Sequence, residues 1–308
     1  MTTIIQHDDC LQHDTGPRSP ERVQRIPAVL GGLEGLKDLE YLPAPRATAE
    51  QISRVHTEVF QNRLRELEPS DGRISVTEED NIMSRGTLDA SLRGSGGICF
   101  GIDQVIAGKT NNVFCVVRPP GHHAEQEIAM GFCFFNHVAV GARHAQTHDG
   151  IGKIAIIDFD VHHGNGTQAI FENDPSVMFV SSHQMPLYPG SGYAEETGGG
   201  NILNLPLAPG NGSNEFRHAW STLGLPAVHS FEPDMILISA GFDAHYKDPL
   251  GQLEVQDIDY RWITDQLMGL AQDSAGGRLV SILEGGYNLE ALATASRSHV
   301  ESLIDNIS

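Results

Sequence analysis

The chain has 308 residues, with 40 Asp and Glu against 20 Lys and Arg, so its formal net charge is −20 at neutral pH. This carboxylate excess disfavours binding of nucleic acid, because a protein that neutralises phosphates needs clustered Lys and Arg. An apolar content of 40% excludes disorder along the whole chain. No apolar run approaches the roughly 18 residues that span a bilayer, and the N-terminus does not resemble a signal peptide. With four widely spaced cysteines, these features predict a reduced cytoplasmic protein without a membrane partner.

Short runs rich in β-branched and apolar residues predict strands that are covered on both faces. They cover residues 2–6, 112–117, 153–158, 176–181, 234–239 and 278–283. Helices are predicted over 86–108, 136–148 and 257–272. Because strands alternate with helices, we expect a three-layer α/β fold. Residues 1–308 contain no linker or repeat, and we expect them to form one domain.

Polar segments directly follow five of these predicted strands. They read RPPGHHA (118–124), DFDVHHGNGT (158–167), SSHQ (181–184), SAGFDAHYKDP (239–249) and EGGYN (284–288). Ligands of open α/β sheets bind beyond the carboxyl ends of the strands. The five segments therefore predict one crevice that collects these side chains.

A D-x-H pair and a second aspartate suggest a metal site in that crevice. Asp160 and His162 are two residues apart at a strand end, and Asp243 follows a neighbouring strand. Three oxygen and imidazole donors with an open position are typical of catalytic Zn²⁺, although Fe²⁺ or Co²⁺ would also fit. The alternative is that these residues only cap strands and form turns, and the four other polar strand ends disfavour it.

The tandem His122-His123 and Tyr287 are candidates for proton transfer and carbonyl polarisation. Imidazole titrates near neutral pH, so either histidine could act as a general acid or base. Asp158 and Asn165 are candidate partners for their second ring nitrogens. A phenol such as Tyr287 can donate a hydrogen bond to a developing oxyanion. Without this context, each of these residues would more often be an ordinary surface or core residue than a catalytic one.

Together these motifs resemble the zinc-dependent histone deacetylase family, particularly its class II branch and the bacterial histone-deacetylase-like and acetylpolyamine amidohydrolases. The resemblance is dense over 110–290 and includes GFCFFN at 131–136. It implies the arginase–deacetylase fold, an eight-stranded parallel sheet flanked by helices, in a single catalytic domain.

The resemblance also implies a role for each catalytic residue. Asp160, His162 and Asp243 would bind one zinc ion, and Tyr287 would polarise the scissile carbonyl. His123 would be the general base and acid, with His122 as its electrostatic partner. The residues implied to hydrogen-bond these two histidines are Asp158 for His122 and Asn165 for His123.

Two further sets of residues are implied in the same way. The expected substrate-binding residues are Asp80, Gly131, Phe132, Tyr188 and Leu250. A structural potassium ion would be held by Asp158, Asp160, His162, Ser181 and Ser182.

Two departures from related families narrow the expected activity. Binuclear arginases carry a further D-x-D, whereas this chain reads Asp243-Ala244-His245, which predicts one metal and disfavours a ureohydrolase. Weak class IIa deacetylases replace the tyrosine with histidine, but Tyr287 is present. We therefore expect a deacetylase rather than a non-catalytic acyl-lysine binding protein.

The substrate and the oligomeric state stay open at this stage. Acetylated lysine side chains and acetylated polyamines are both candidates. Leu250 at the expected rim favours acyl-lysine, since polyamine-preferring relatives tend to carry an acidic residue there. A homo-oligomer is compatible with the sequence.

Overall fold

The structure is a computed structural model that describes residues 1–77 and 81–306. These residues form an eight-stranded sheet in the order β2-β1-β5-β10-β9-β6-β7-β8, with every neighbouring pair parallel. Its strands are β1 (Thr2–Gln6), β2 (Leu39–Pro43), β5 (Asn112–Cys115), β6 (Ile154–Asp158), β7 (Val177–Gln184), β8 (Ile202–Leu207), β9 (Met235–Ala240) and β10 (Leu279–Leu283). A separate antiparallel hairpin pairs β3 (Arg73–Ser75) with β4 (Ile82–Ser84).

Helices cover both faces of the sheet. They are α1 (Arg25–Gly32), α2 (Ala49–Ser53), α3 (Glu58–Leu67), α4 (Thr87–Ile106), α5 (His137–Ala145), α6 (Asn165–Phe171), α7 (Ser213–Ala219), α8 (Leu225–Phe231), α9 (Asp257–Ser274) and α10 (Leu289–Asp305). The core has two parts, one against α1, α9 and α10 and the other against α4 and α5. Successive side chains of a strand point to opposite faces of the sheet, so Ile156 of β6 packs in one part of the core and Ile157 in the other.

The predicted three-layer α/β fold is therefore confirmed, and all six predicted strands are present with end shifts of a few residues. β2 and β8, which lie at the two edges of the sheet, were not predicted. Edge strands are less apolar and tolerate proline, as Pro206 does in β8.

The topology places the candidate residues at one edge of the sheet. Because β5, β10, β9 and β6 are consecutive neighbours, the segments that follow them emerge side by side at their carboxyl ends. Within 1–77 and 81–306, none of the helices has the length and apolarity needed to cross a bilayer.

Candidate active site

Asp160, His162 and Asp243 come together beyond the ends of β6 and β9. One ligand atom from each lies within 4.8 Å of the others. Nδ1 of His162 is 3.0 Å from Oδ1 of Asp160 and 3.2 Å from Oδ2 of Asp243. All three side chains are buried, and the two aspartates are fully so. The chain thus gathers two carboxylates and one imidazole around one point.

The donor atoms of this cluster fit a small divalent cation. Oδ1 of Asp243 accepts a hydrogen bond from the backbone N–H of Val161 at 2.8 Å. Oδ2 of Asp243 is buried and accepts no well-formed hydrogen bond from the described residues, although Nδ1 of His162 lies 3.2 Å away. A buried carboxylate oxygen without a donor is costly unless a cation or proton neutralises it. Because two carboxylates and one imidazole suit Zn²⁺, the residues present fit the metal implied by the sequence.

Glycine is required next to this cluster at Gly285. A Cβ atom there would overlap the carboxylates of both Asp160 and Asp243. Its backbone N–H instead donates a hydrogen bond to Oδ2 of Asp160 at 2.8 Å. The first glycine of EGGYN therefore lets the loop after β10 approach the two aspartates closely.

His122 is paired with a fully buried carboxylate. Its Nδ1 lies 2.9 Å from Oδ2 of Asp158. Burial opposes a charge on the ring, but the carboxylates of Asp158, Asp160 and Glu284 outweigh it and raise the pKa of His122 well above its ordinary value. We infer that His122 carries a positive charge near neutral pH.

His123, in contrast, is paired with a neutral amide instead of a carboxylate. Its Nδ1 lies 2.8 Å from Oδ1 of Asn165. The amide nitrogen of Asn165 donates to Oε1 of Glu125 at 3.1 Å, which orients the amide oxygen towards His123. Nδ1 of His123 must therefore carry the ring proton, which leaves the lone pair on Nε2.

The same environment keeps His123 neutral. Burial, followed by the charges of His122 and His162, holds the pKa of His123 well below its ordinary value. The two adjacent imidazoles, whose ring centres are 4.1 Å apart, thus differ in charge. A neutral imidazole with a free nitrogen beside a charged one is the pattern of a general base next to an electrostatic partner.

Tyr287 is held from two sides. Its backbone N–H donates to Oδ2 of Asp248 at 2.7 Å, and the guanidinium of Arg25 lies 5.0 Å from its ring centre. Burial is the largest influence on the phenol and raises its pKa well above the ordinary value. Tyr287 therefore remains a hydrogen-bond donor at neutral pH.

A cavity of about 400 Å³ opens over these groups. Its polar part contains His123, His162 and Tyr287. The remaining lining residues are mostly apolar or aromatic: Gly131, Phe132, Leu187, Tyr188 and Leu250. The catalytic candidates therefore lie in a pocket whose other walls suit an aliphatic chain.

A tight turn places Phe132 in this pocket. Gly131 and Phe132 have φ of 55° and 67°, and Met130 and Cys133 exchange two backbone hydrogen bonds of 3.1 and 2.9 Å across them. Positive φ at both central residues is characteristic of a type I′ turn. A Cβ atom at Gly131 would also overlap the ring of His123, so the turn is packed against that ring.

The structure therefore brings together the predicted catalytic, metal and pocket residues, except one. Asp80 lies outside the described residues.

The expected potassium residues Asp158 and Ser181 are paired in register across β6 and β7. Ser182 follows on β7, where its hydroxyl accepts a hydrogen bond from the indole N–H of Trp220 at 3.0 Å.

A buried ionic network beneath the site was not predicted from the sequence. Arg118 donates to both carboxylate oxygens of Glu21, at 2.8 and 2.6 Å, and Arg25 lies 3.2 Å from the same carboxylate. Arg25 also donates to the carbonyls of Glu284 and Gly286. The available signal was the PERVQRI segment (20–26), in which Glu21 and Arg25 are spaced i, i+4.

Comparison with known proteins agrees with this geometry. Residues 16–303 match the family described as histone deacetylase domain. A probable deacetylase of Archaeoglobus fulgidus is 38% identical over 299 residues, covering 94% of this chain and 82% of the relative. The histone deacetylase-like amidohydrolase of Pseudomonas aeruginosa is 36% identical over 276 residues, covering 88% and 72% of the two chains.

A solved structure shows the same fold. The crystal structure of the HDA15 HD domain matches with a TM-score of 0.89 and 33% sequence identity, covering 98% of this chain and 90% of that one. The expected deacetylase fold is thereby confirmed. The chain belongs to the histone deacetylase family, whose members are zinc-dependent hydrolases of amide bonds.

Proposed function

We propose that this protein removes acetyl groups from N-acetylated amines, and that acetylated lysine side chains of peptides or proteins are its main substrates. One observation carries this proposal. His123, His162 and Tyr287 line a single cavity whose remaining walls are largely apolar and aromatic. An acyl-lysine combines a reactive amide with a four-carbon stem, so it matches both parts of that cavity.

Asp160, His162 and Asp243 would hold one zinc ion. When bound, zinc acts as a Lewis acid towards a carbonyl oxygen and lowers the pKa of water. Because Asp243 is followed by Ala244 and His245 rather than by a D-x-D motif, we propose one catalytic metal for each chain.

His123 transfers the proton in this proposal. Its unprotonated Nε2 accepts the proton of the attacking water, and Nδ1–H donates to Asn165 throughout. The same nitrogen then donates that proton to the departing amine, so the step balances with acetate and a free amine as products. His122, charged and paired with Asp158, favours the negative charge that develops on the substrate.

Tyr287 acts on the substrate carbonyl. Its phenol donates a hydrogen bond to the carbonyl oxygen, which becomes more negative as water adds. Such a donor is worth more in the transition state than in the ground state and therefore increases kcat. The hydrogen bond from the backbone of Tyr287 to Asp248 fixes the loop that presents the phenol.

Leu250 and the chain's charge bear on substrate choice. Leu250 and Phe132 also line an adjoining cavity of about 610 Å³, whose other walls include Arg18, Pro20 and Ile82. Within residues 1–77 and 81–306, the lining of this outer cavity includes no carboxylate, and the apolar Leu250 at the rim favours acyl-lysine over a polyamine. Acetylated polyamines stay the second candidate, since a net charge of −20 attracts cationic substrates of either kind.

We further propose a potassium ion held by Asp158, Asp160, His162, Ser181 and Ser182, and a single catalytic domain over residues 1–308. The in-register pairing of Asp158 with Ser181 supports the first of these. The four cysteines are unpaired and buried, which agrees with the cytoplasm as the proposed location.

The decisive experiment compares acetyl-lysine peptides with acetylputrescine and acetylspermidine, before and after removal of zinc by a chelator and after its return. We expect the highest kcat/KM with acetyl-lysine peptides, loss of activity on chelation and recovery with one zinc ion per chain. Preference for the polyamines would support the second candidate. Binding of acetyl-lysine peptide without turnover would overturn the enzymatic proposal.

A further inference from the structure

A second group of side chains of metal-binding types lies where α4 packs against α5 and the turn that follows α5. Oδ1 of Asp103 is 2.7 Å from Nε2 of His144 and 3.0 Å from Nε2 of His148. One ligand atom from each of the three residues lies within 4.8 Å of the others. The side chain of His144 is 11% exposed, whereas those of Asp103 and His148 are 42% and 30% exposed. The group is therefore preorganised and open to solvent on one side.

This group lies at the edge of the sheet opposite to the active site. His144 is near the end of α5, and His148 lies in the segment between α5 and the start of β6, whereas Asp160 and His162 follow the end of β6. At about 3.3 Å per residue, the five residues of β6 separate these two edges by roughly 16 Å. An ion bound at 103, 144 and 148 would therefore have its own ligands.

The ligand types favour a transition-metal cation. His144 lies in the last turn of α5 and His148 in the turn that follows it, and their ring centres are 5.3 Å apart. Two imidazoles and one carboxylate suit Zn²⁺ and its neighbours better than Mg²⁺ or Ca²⁺, which prefer oxygen donors alone.

Arg54 opposes metal binding in a specific way. Its Nη1 lies 2.9 Å from Nδ1 of His144, and an arginine can only donate. Nδ1 of His144 is thus the unprotonated nitrogen, and Nε2 carries the proton that points at Asp103. A metal bound at Nε2 requires that proton to move to Nδ1, which displaces Arg54. Arg54 has an alternative partner in Glu50, whose Oε1 is 2.9 Å from Nη2.

We propose that Asp103, His144 and His148 form a second cation site, which binds one zinc-like divalent ion in competition with the hydrogen bond from Arg54 to His144. The site has three protein ligands and an exposed side, so it binds more weakly than the buried active-site cluster. Because it joins α4 to α5, occupancy stabilises the folded protein and raises Tm with zinc concentration. This inference does not depend on the proposed catalytic activity.

The test is a calorimetric titration of Zn²⁺ into enzyme that already contains one zinc per chain. We expect one further equivalent in the wild type. His148→Ala should weaken this binding by at least about tenfold, because one of three ligands is lost. Arg54→Ala should strengthen it by roughly tenfold, because the competing hydrogen bond from a charged donor is removed.

His229→Ala is the matched control, since His229 is an exposed histidine in the last turn of α8. It should bind the second ion as the wild type does. Deacetylation assays and Tm without added zinc establish that every variant is folded. A second equivalent that persists in His148→Ala, or that is absent from both the wild type and Arg54→Ala at millimolar zinc, overturns the assignment.

Discussion

The carboxylate of Asp248 joins the loop that carries Tyr287 to the loop that carries Leu250. Its Oδ2 accepts from the backbone N–H of Tyr287 at 2.7 Å and from that of Asn288 at 3.2 Å. Its Oδ1 accepts from the backbone N–H of Leu250 at 3.0 Å. One largely buried side chain therefore positions the phenol inside the cavity and the leucine at its rim.

We predict that Asp248→Ala lowers kcat by about 10- to 100-fold, because each charged hydrogen bond contributes roughly 1.5–3 kcal/mol to holding these loops. Asp248→Asn keeps one acceptor oxygen and should recover part of the loss. Steady-state kinetics measure both, and zinc content should stay at the wild-type level. Equal kcat in Asp248→Ala and the wild type would show that Tyr287 is positioned without Asp248.

Tyr287→Phe tests the proposed oxyanion donor. Removing the hydroxyl should lower kcat by about 10²- to 10³-fold while zinc binding is retained, because the phenol acts on the substrate. Single-turnover rates and metal analysis separate the two effects. An unchanged rate of the chemical step would remove Tyr287 from the mechanism.

Asn165→Asp should move the pH profile in a defined direction. A carboxylate beside Nδ1 favours the charged imidazole, so the pKa of His123, which is now well below its ordinary value, rises. The base form is then lost at a higher pH, and the acidic limb of kcat/KM shifts upward. Asn165→Ala serves as the control, since it removes the partner without adding charge. An acidic limb that stays in place in Asn165→Asp contradicts the assignment of His123 as base.

Gly131→Ala should reduce activity strongly, although it adds only one methyl group. The new methyl group would overlap the His123 ring, and φ of 55° is unfavourable for alanine. We expect a fall in kcat of at least about tenfold from displacement of His123. Gly150→Ala is a matched control, since Gly150 has φ of 81° and nothing within 4 Å of an added Cβ atom. Similar kinetics for the two variants would rule out the steric explanation.

His299 gives the fold a measurable acid sensitivity. Burial lowers the pKa of His299 to about 3, whereas an unfolded histidine titrates near 6.5. The folded protein therefore excludes a proton that the unfolded chain binds. Its contribution to stability is complete above pH 6.5 and is lost as the pH falls towards 3, at about 1.4 kcal/mol per pH unit.

Urea unfolding of His299→Gln between pH 7 and 4.5 tests this linkage. Glutamine can still bond with the hydroxyls of Thr264 and Ser281, which lie 2.7 and 2.9 Å from the histidine nitrogens. The free energy of unfolding should depend less steeply on pH by one proton. The exposed His218→Gln should leave the slope unchanged, and equal slopes in all three proteins would refute the prediction.

Local sequence signals were sufficient for the α/β fold and for the residues that stand at strand ends. The D-x-H pair and the tandem histidines follow apolar strands directly, so their shared edge could be predicted. The pairing of Glu21 with Arg118 could not, because 97 residues separate them and only the folded chain brings them together. Asp248 was missed for a similar reason, since its partners are backbone groups that any sequence supplies.

The strand order has a consequence for synthesis of the chain on the ribosome. β5 and β6 carry the histidine pair and the D-x-H motif, yet β10 and β9 lie between them in the sheet. When the chain has emerged up to residue 200, β5 and β6 have no neighbour on the sides that will later face β10 and β9. The gap between β5 and β9 is filled only after β10, residues 279–283, leaves the exit tunnel. Folding intermediates before that point therefore expose two unpaired strand edges.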